Sequence, residues 1–583
     1  MAKSSKTSKN TNFWGGNTAS VDSSSKSTQS GAESPIMPTT STAGKSAHRF
    51  DFKWLILAGI AIIALVVALV INFNHADNSA NKVTSTIETD NGDTKINWDK
   101  YPTYDIALSD SLTLTESATY HLTGSLTDGS ISIKAGDGVI RLILDGVSIT
   151  NSNGPAIACY SADEFVIEVE GDNYLEDGAT CSSDLDTDIT GAIYSKDDLS
   201  FGGSGTLNLT AHLEDGIVGK DDLKFNSGTY NITATDDAIR GTDSVYIVDG
   251  NFTLNAGSDA IKSTNETESN KGFVLIESGD FYIDASAKGI KAINSVLIYG
   301  GNYNIKSYDD AIHSNNYVGI IGGEFAISSG DDGIHADREL IIDDGNITIS
   351  KSYEGLEAQA ITINGGAISI TASDDGLNTG GGADSSANNR PGAGAFDADT
   401  SCVLSINGGD IYVNASGDGI DSNGYLYFNG GSVIVDGPTN NGNGALDAGL
   451  GIVLNGGTVL ALGASGMAES LGTSSSIYNA SIYLSATQPA GTAIEIKNSA
   501  SETIISHTSA KSFSHIAVGT ADFTPGSTYT LYLNGAESTS FTITGVVTTV
   551  GNSNMNFQNG AGSNGGTTGA GTGNNAGAGA QRQ

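Results

Sequence analysis

The residues best suited to do chemistry in this chain are carboxylates that return at a fixed interval. Asp215, Asp236, Asp237, Asp259, Asp309, Asp310, Asp331, Asp332, Glu354, Asp374, Asp375 and Asp418 lie just before a small residue followed by Ile or Leu, as in Asp237-Ala238-Ile239 and Asp332-Gly333-Ile334. The small residues fall at 216, 238, 260, 289, 311, 333, 355, 376 and 419, and most steps are 21 or 22 residues. If each step is one coil of a stacked structure, successive carboxylates lie only about 5 Å apart. Each adjacent pair then repels by about 1 kcal/mol in water, and more beside a protein wall. A hard cation held by carboxylate and carbonyl oxygens offsets that repulsion, and Ca²⁺ tolerates irregular geometry better than Mg²⁺. The candidate Ca²⁺ ligands are Asp215, Asp236, Asp237, Asp259, Asp309, Asp310, Asp331, Asp332, Asp374, Asp375, Asp418 and Asp421. The alternative is that these aspartates shape turns by accepting N–H bonds.

A second column follows the turn Ile: Val218, Arg240, Lys262, Lys291, His313, His335, Glu357, Asn378, Asp421 and Asp447. Strand alternation points these side chains outward. Arg240, Lys262, Lys291, His313 and His335 are therefore candidate contacts for an anionic sugar polymer. Equally, the basic members could neutralise the aspartates beside them. No Ser or Cys nucleophile motif accompanies the two histidines, and no Cys/His cluster has zinc spacing. A second acidic turn recurs at Lys196-Asp197-Asp198 and Lys220-Asp221-Asp222, and Asp184, Asp186 and Asp188 alternate as in Ca²⁺ loops without the Gly and distal Glu of an EF-hand. Cys159, Cys181 and Cys402 are too few for a disulfide framework, though Cys159 and Cys181 could pair.

The elements that must carry these columns read as three short strands per period. Val296-Leu297-Ile298 precedes a Gly pair, Asn302-Tyr303-Asn304-Ile305 follows it, and Gly333-Ile334-His335-Ala336 typifies the third. Period-two alternation then places Tyr230, Phe252, Phe281, Tyr303 and Phe325 in one inward column, an interior ladder rather than a sugar platform. The leucine-rich pattern is absent and a propeller blade needs about twice the period. The expected fold is an all-β parallel β-helix of about 22 residues per coil over 99–475, interrupted by insertions at Asn265–Lys271 and Thr379–Thr400. A small C-terminal β module over 476–546 caps it, and a Gly/Asn-rich tail fills 547–583. Residues 1–53 read as a disordered cytoplasmic tail with seven Lys and Arg against three acids. Trp54–Ile71, eighteen uncharged residues, predicts a single transmembrane helix within 54–73, followed by a linker over 74–98. The basic flank puts the N-terminus inside and the rest outside.

With 66 acidic against 27 basic residues and a net charge of −39, nucleic acid is an unsuitable partner. The chain resembles the bacterial cell-surface carbohydrate-binding domain family, on Gly191-Ala192-Ile193-Tyr194-Ser195-Lys196-Asp197-Asp198-Leu199, on Asp215-Gly216-Ile217-Val218-Gly219-Lys220-Asp221-Asp222-Leu223, on the serial Asp-Gly-Ile turns and on Gly526-Ser527-Thr528-Tyr529-Thr530-Leu531-Tyr532. The resemblance spans roughly 104–544. It implies a right-handed, pectate-lyase-like β-helix, bound Ca²⁺, and binding to cellulose and polygalacturonate. The reading is of a monomeric, non-catalytic, calcium-binding surface protein. A Ca²⁺-dependent lyase using Arg240 or Arg338 as base, and a structural spacer, are the alternatives.

Overall fold

The computed structural model describes residues 96–181, 189–380 and 398–552. The chain divides into two compact units, residues 1–76 and 77–583, and all described residues lie in the second. The expected anchor at Trp54–Ile71, the loop of Asp184, Asp186 and Asp188, and most of both tails fall outside the described residues. Among those described, no helix is long and apolar enough to cross a membrane. The one helical turn among the described residues is a short 3-10 segment, Trp98–Lys100.

Three parallel ladders make the solenoid. One stacks Thr229–Ala234, Asn251–Ala256, Asp280–Ala285 and Asn302–Ser307, with Tyr230 opposite Phe252, Phe281 and Tyr303 in turn. Another stacks the short strands Ile239–Gly241, Ile261–Ser263, Ile290–Ala292 and Ile312–Ser314, with Ile239 opposite Ile261, Ile290 and Ile312. The third stacks Ser244–Ile247, Phe273–Ile276, Ser295–Ile298 and Tyr317–Ile320. Apolar side chains, β-branched in some columns and aromatic in another, repeat at equivalent inward positions, so every coil buries the same columns and the core is one continuous apolar rod. The aromatic column stacks as the alternation predicts: ring centroids of Tyr230–Phe252, Phe252–Phe281, Phe281–Tyr303 and Tyr303–Phe325 lie 5.1, 4.9, 4.8 and 4.6 Å apart. These distances match the strand spacing, and offset stacking adds to burial.

Glycine is required where the first ladder begins. Gly250 and Gly279 have φ of 149° and 132°, a conformation costly for residues with a Cβ. A Cβ on Gly279 would sit 2.9 Å from the Gly250 carbonyl of the preceding coil. The insertion Asn265–Lys271 does leave the coil, and Lys271 returns to Asp243 on the second acidic turn.

At the far end Thr458–Gly463 pairs antiparallel with Phe513–Thr520, which covers the open edge of the last coil. The four strands Thr503–Thr508, Ala493–Lys497, Thr528–Leu533 and Ala536–Thr542 form a separate antiparallel sheet with its own core. Asp436 fastens this module to the solenoid: its Oδ2 accepts from Tyr412 Oη at 2.9 Å, from the Ala510 amide at 3.0 Å and lies 3.0 Å from His507 Nε2. The last strand, Val547–Val550, pairs parallel with Asn479–Gln488, so ordered structure runs past the expected boundary at 546. Cys159, Cys181 and Cys402 are all free thiols, so Cys159 and Cys181 do not pair.

Candidate functional site

The aspartate column has a division of labour that the sequence does not announce. One oxygen of Asp215, Asp237, Asp259, Asp310, Asp332, Asp375 and Asp418 accepts the backbone amide of the equivalent turn on the next coil. Asp237 N donates to Asp215 Oδ1 (3.1 Å), Asp259 N to Asp237 Oδ1 (3.0 Å) and Lys288 N to Asp259 Oδ1 (2.9 Å). Asp332 N donates to Asp310 Oδ1 (3.0 Å) and Glu354 N to Asp332 Oδ1 (3.2 Å). The Asp418 and Gly444 amides continue the series onto Asp375 Oδ1 and Asp418 Oδ1. The turn-shaping role is thus real, and it operates between coils: it satisfies amides that no ladder partner reaches.

The other oxygen faces a charge. Asp215 Oδ2 lies 3.0 Å from Arg240 Nη1. Lys262 Nζ bridges Asp237 Oδ2 (3.2 Å) and Asp259 Oδ2 (2.8 Å). Lys288, standing where other coils have Asp, reaches forward to Asp309 Oδ1 (3.1 Å) and Asp310 Oδ2 (2.6 Å). Against the cost of burial, His313 and Lys288 hold the Asp310 carboxyl well below the usual carboxylate range. Burial pushes Asp237 up to about 6 even with Lys262 beside it.

The register of the outward column is as expected: Arg240, Lys262, Lys291, His313, His335 and Glu357 are successive ladder partners. Its exposure is not. Val218, His313, His335 and Glu357 are buried, and Arg240, Lys262 and Lys291 are half-buried. The expected presentation of His313 and His335 to a polymer is therefore corrected. His313 and His335 each stand second in their strands, Ile312–Ser314 and Ile334–Ile342, and the turn Asp three positions back folds its carboxylate over the imidazole. Asp310 Oδ2 lies 2.8 Å from His313 Nδ1, and Asp332 Oδ2 lies 3.0 Å from His335 Nδ1.

From Glu354 onward the column changes character. Asn378 Nδ2 donates to Glu354 Oε2 at 2.9 Å. Beyond it Asp374, Asp375, Asp418, Asp421, Asp447 and Glu469 follow, and the strongest charges acting on Asp375, Asp418, Asp421 and Glu469 are other carboxylates. Burial, then those neighbours, push Asp375 up to about 8, Asp421 and Glu469 to about 7 and Asp418 to about 6. Among the described residues no Lys, Arg or His forms an ion pair with any of these six.

Carboxylates converge elsewhere too. Asp215, Asp236 and Asp237 bring ligand atoms within 4.8 Å of one another, as do Asp309, Asp310 and Asp331, and Asp198, Asp221 and Asp222. Such groupings suit oxygen-loving divalent ions. Sequence reasoning missed Lys288 as a built-in cation, and Glu357 and Glu469 as members of the acidic network. Lys288 had a usable signal, since it breaks the Asp at that turn. Also missed was a shallow open groove on the outer face of the first ladder, lined by Asn251, Asp280, Asn302, Glu324 and Asn346 around Tyr282, which is 54% exposed.

Over residues 109–376 the sequence matches the family model described as carbohydrate-binding domain-containing protein. These coils are similar to that carbohydrate-binding domain family. A curated carbohydrate-binding domain-containing protein from Acetivibrio thermocellus is 32% identical over 126 residues, which is 21% of this chain and 44% of that relative. The match thus spans under half of the relative's length. Among solved structures, a polysaccharide lyase-like protein from C. thermocellum, a gadolinium derivative, aligns at 28% identity over 41% of this chain and 95% of that one, with a TM-score of 0.34. The match covers the coils on which Arg240, Lys262, Lys288, His313 and His335 meet the aspartate column, and it ends as the uncompensated run begins.

Proposed function

We propose that the chain is a non-catalytic, Ca²⁺-binding polysaccharide-binding protein of the cell surface, with cellulose, polygalacturonate or both as ligand. The family match across residues 109–376 carries this reading. Trp54–Ile71 anchors it as a single-pass protein with a cytoplasmic N-terminus, and the solenoid, a monomer, projects outside. Its winding is right-handed, the hand that parallel crossovers adopt.

Of the twelve candidate Ca²⁺ ligands, Asp374, Asp375, Asp418 and Asp421 have the strongest case, together with Asp447 and Glu469. Ca²⁺ takes six to eight oxygens in flexible arrangements, and here carboxylates accumulate with no described protein cation to offset them. The aspartates from Asp215 to Asp332 have that need met in large part by Arg240, Lys262, Lys288 and the histidines. The same pairing weakens the lyase alternative, because Arg240 is held by a buried carboxylate and is not placed to abstract a proton. Arg338 is exposed and is the arginine to test.

Pull-down on insoluble cellulose and on pectate, with and without chelator, tests the binding reading. Retention on either polymer, weakened by chelator, is expected. Retention on neither would overturn it. Ultraviolet absorbance of unsaturated product from polygalacturonate, lost in Arg338→Ala, would instead establish the lyase.

A further inference from the structure

We propose that Asp332, His335 and Glu357 form a buried site for a zinc-class divalent ion, separate from the acidic run assigned to Ca²⁺. His335 Nδ1 lies 3.0 Å from Asp332 Oδ2 and 2.9 Å from Glu357 Oε2. All three side chains are buried, His335 and Asp332 completely. A ring nitrogen carries at most one hydrogen, and here two carboxylate oxygens compete for it. Only Asp332 has hydrogen-bond geometry. Glu357 Oε2 points into the same space with no hydrogen bond of its own. A buried carboxylate oxygen left in that state is costly.

The neighbouring coil supplies the contrast. His313 repeats the same Asp-x-x-His spacing and is satisfied at both nitrogens, with Asp310 Oδ2 at 2.8 Å and Asn315 Oδ1 at 3.3 Å. His335 is not: its Nε2 is buried without a hydrogen-bond partner, and the nearest carboxylate, Asp337 Oδ1, stands 3.3 Å away. This is the arrangement of a metal-ligating histidine. One ring nitrogen meets the ion, and the other N–H is turned toward a second carboxylate that fixes the tautomer.

The donor set selects the ion. One imidazole nitrogen with two carboxylate oxygens suits zinc-class ions, whereas Ca²⁺ takes oxygen ligands. Zinc bonds to these donors are about 2.0–2.2 Å, so the observed spacing needs to open by only a few tenths of an ångström. In the ion-free state the nitrogen holds a proton between Asp332 and Glu357, and the metal takes that proton's place.

The test uses the full chain in detergent, with millimolar Ca²⁺ present throughout to occupy oxygen-only sites. Because the ligands are buried, zinc is supplied both during expression and to the purified protein. Metal content by mass spectrometry and titration of Zn²⁺, with Co²⁺ visible absorption as a reporter of nitrogen coordination, read the site. About one zinc per chain is expected, with affinity falling at least tenfold in Glu357→Gln and in His335→Gln and unchanged in Asp375→Asn. If His335→Gln fails to fold, Glu357→Gln still decides. No zinc uptake under Ca²⁺, or uptake unchanged in Glu357→Gln, would overturn the proposal.

Discussion

Two stretches of one carboxylate column solve the same electrostatic problem differently. Between Asp215 and Asp310 the solenoid brings its own cations: Arg240, Lys262 and Lys288 each sit against the oxygen that the inter-coil amides leave free. Between Asp374 and Glu469 the same turns repeat and the same amides are accepted. Yet the strongest charges on Asp375, Asp418, Asp421 and Glu469 are all carboxylates. A repeat of identical backbone thus does not imply identical chemistry. What varies is the side chain that meets the free oxygen, one strand position after the turn for Arg240 and Lys262 and at the turn itself for Lys288, and it decides whether a coil is electrostatically complete.

The contrast breaks most visibly at Lys288. It is the most buried of the three cations and holds Asp310 from the inside. Lys288→Met leaves that carboxylate buried with His313 but without its lysine partner, which costs about 3–5 kcal/mol. A large fall in denaturant midpoint is expected, unrelieved by Ca²⁺. A melt like wild type would mean the cations are incidental.

The acidic run should respond to pH with a definite sign. Asp375, Asp418, Asp421 and Glu469 have folded pKa values raised to about 8, 6, 7 and 7. An acid whose folded pKa stands above its unfolded value binds more protons when folded, so stability falls as pH rises. In chelator the melting temperature should therefore drop progressively from about pH 4 to pH 8. Saturating Ca²⁺ should flatten that slope, because the ion replaces the protons.

The smallest effect is expected on ligand binding from the basic column. Arg240→Gln with Lys262→Gln should lower the melting temperature, since both cations serve buried aspartates. Affinity for polygalacturonate, measured well below the melt, should stay within about twofold, because neither side chain is free to meet a polymer. A tenfold loss would return this column to the binding surface.

Much of the scaffold was legible because a period-two pattern repeated every 22 residues leaves few alternatives. The stacked rings from Tyr230 to Phe325 and the register from Arg240 through Glu357 follow from alternation alone. What alternation does not contain is depth. His313 and His335 do face away from the core, yet each stands second in its strand, where the turn carboxylates of Asp310 and Asp332 close over them. Nor does it show which oxygen of an aspartate is engaged. The inter-coil amides take Oδ1 only after stacking brings turns 22 residues apart into contact. Glu469 carried no repeat signature, since it lies past the last Asp-Gly-Ile turn and joins the acidic run through space.

The most direct measurement is a calorimetric Ca²⁺ titration of three proteins: wild type, Asp375→Asn with Asp421→Asn, and Asp215→Asn. If protein cations complete the first stretch and an external ion the second, the double variant loses Ca²⁺ binding at least tenfold while Asp215→Asn binds as wild type does. Equal Ca²⁺ binding by wild type and the double variant, or a loss confined to Asp215→Asn, would contradict the account.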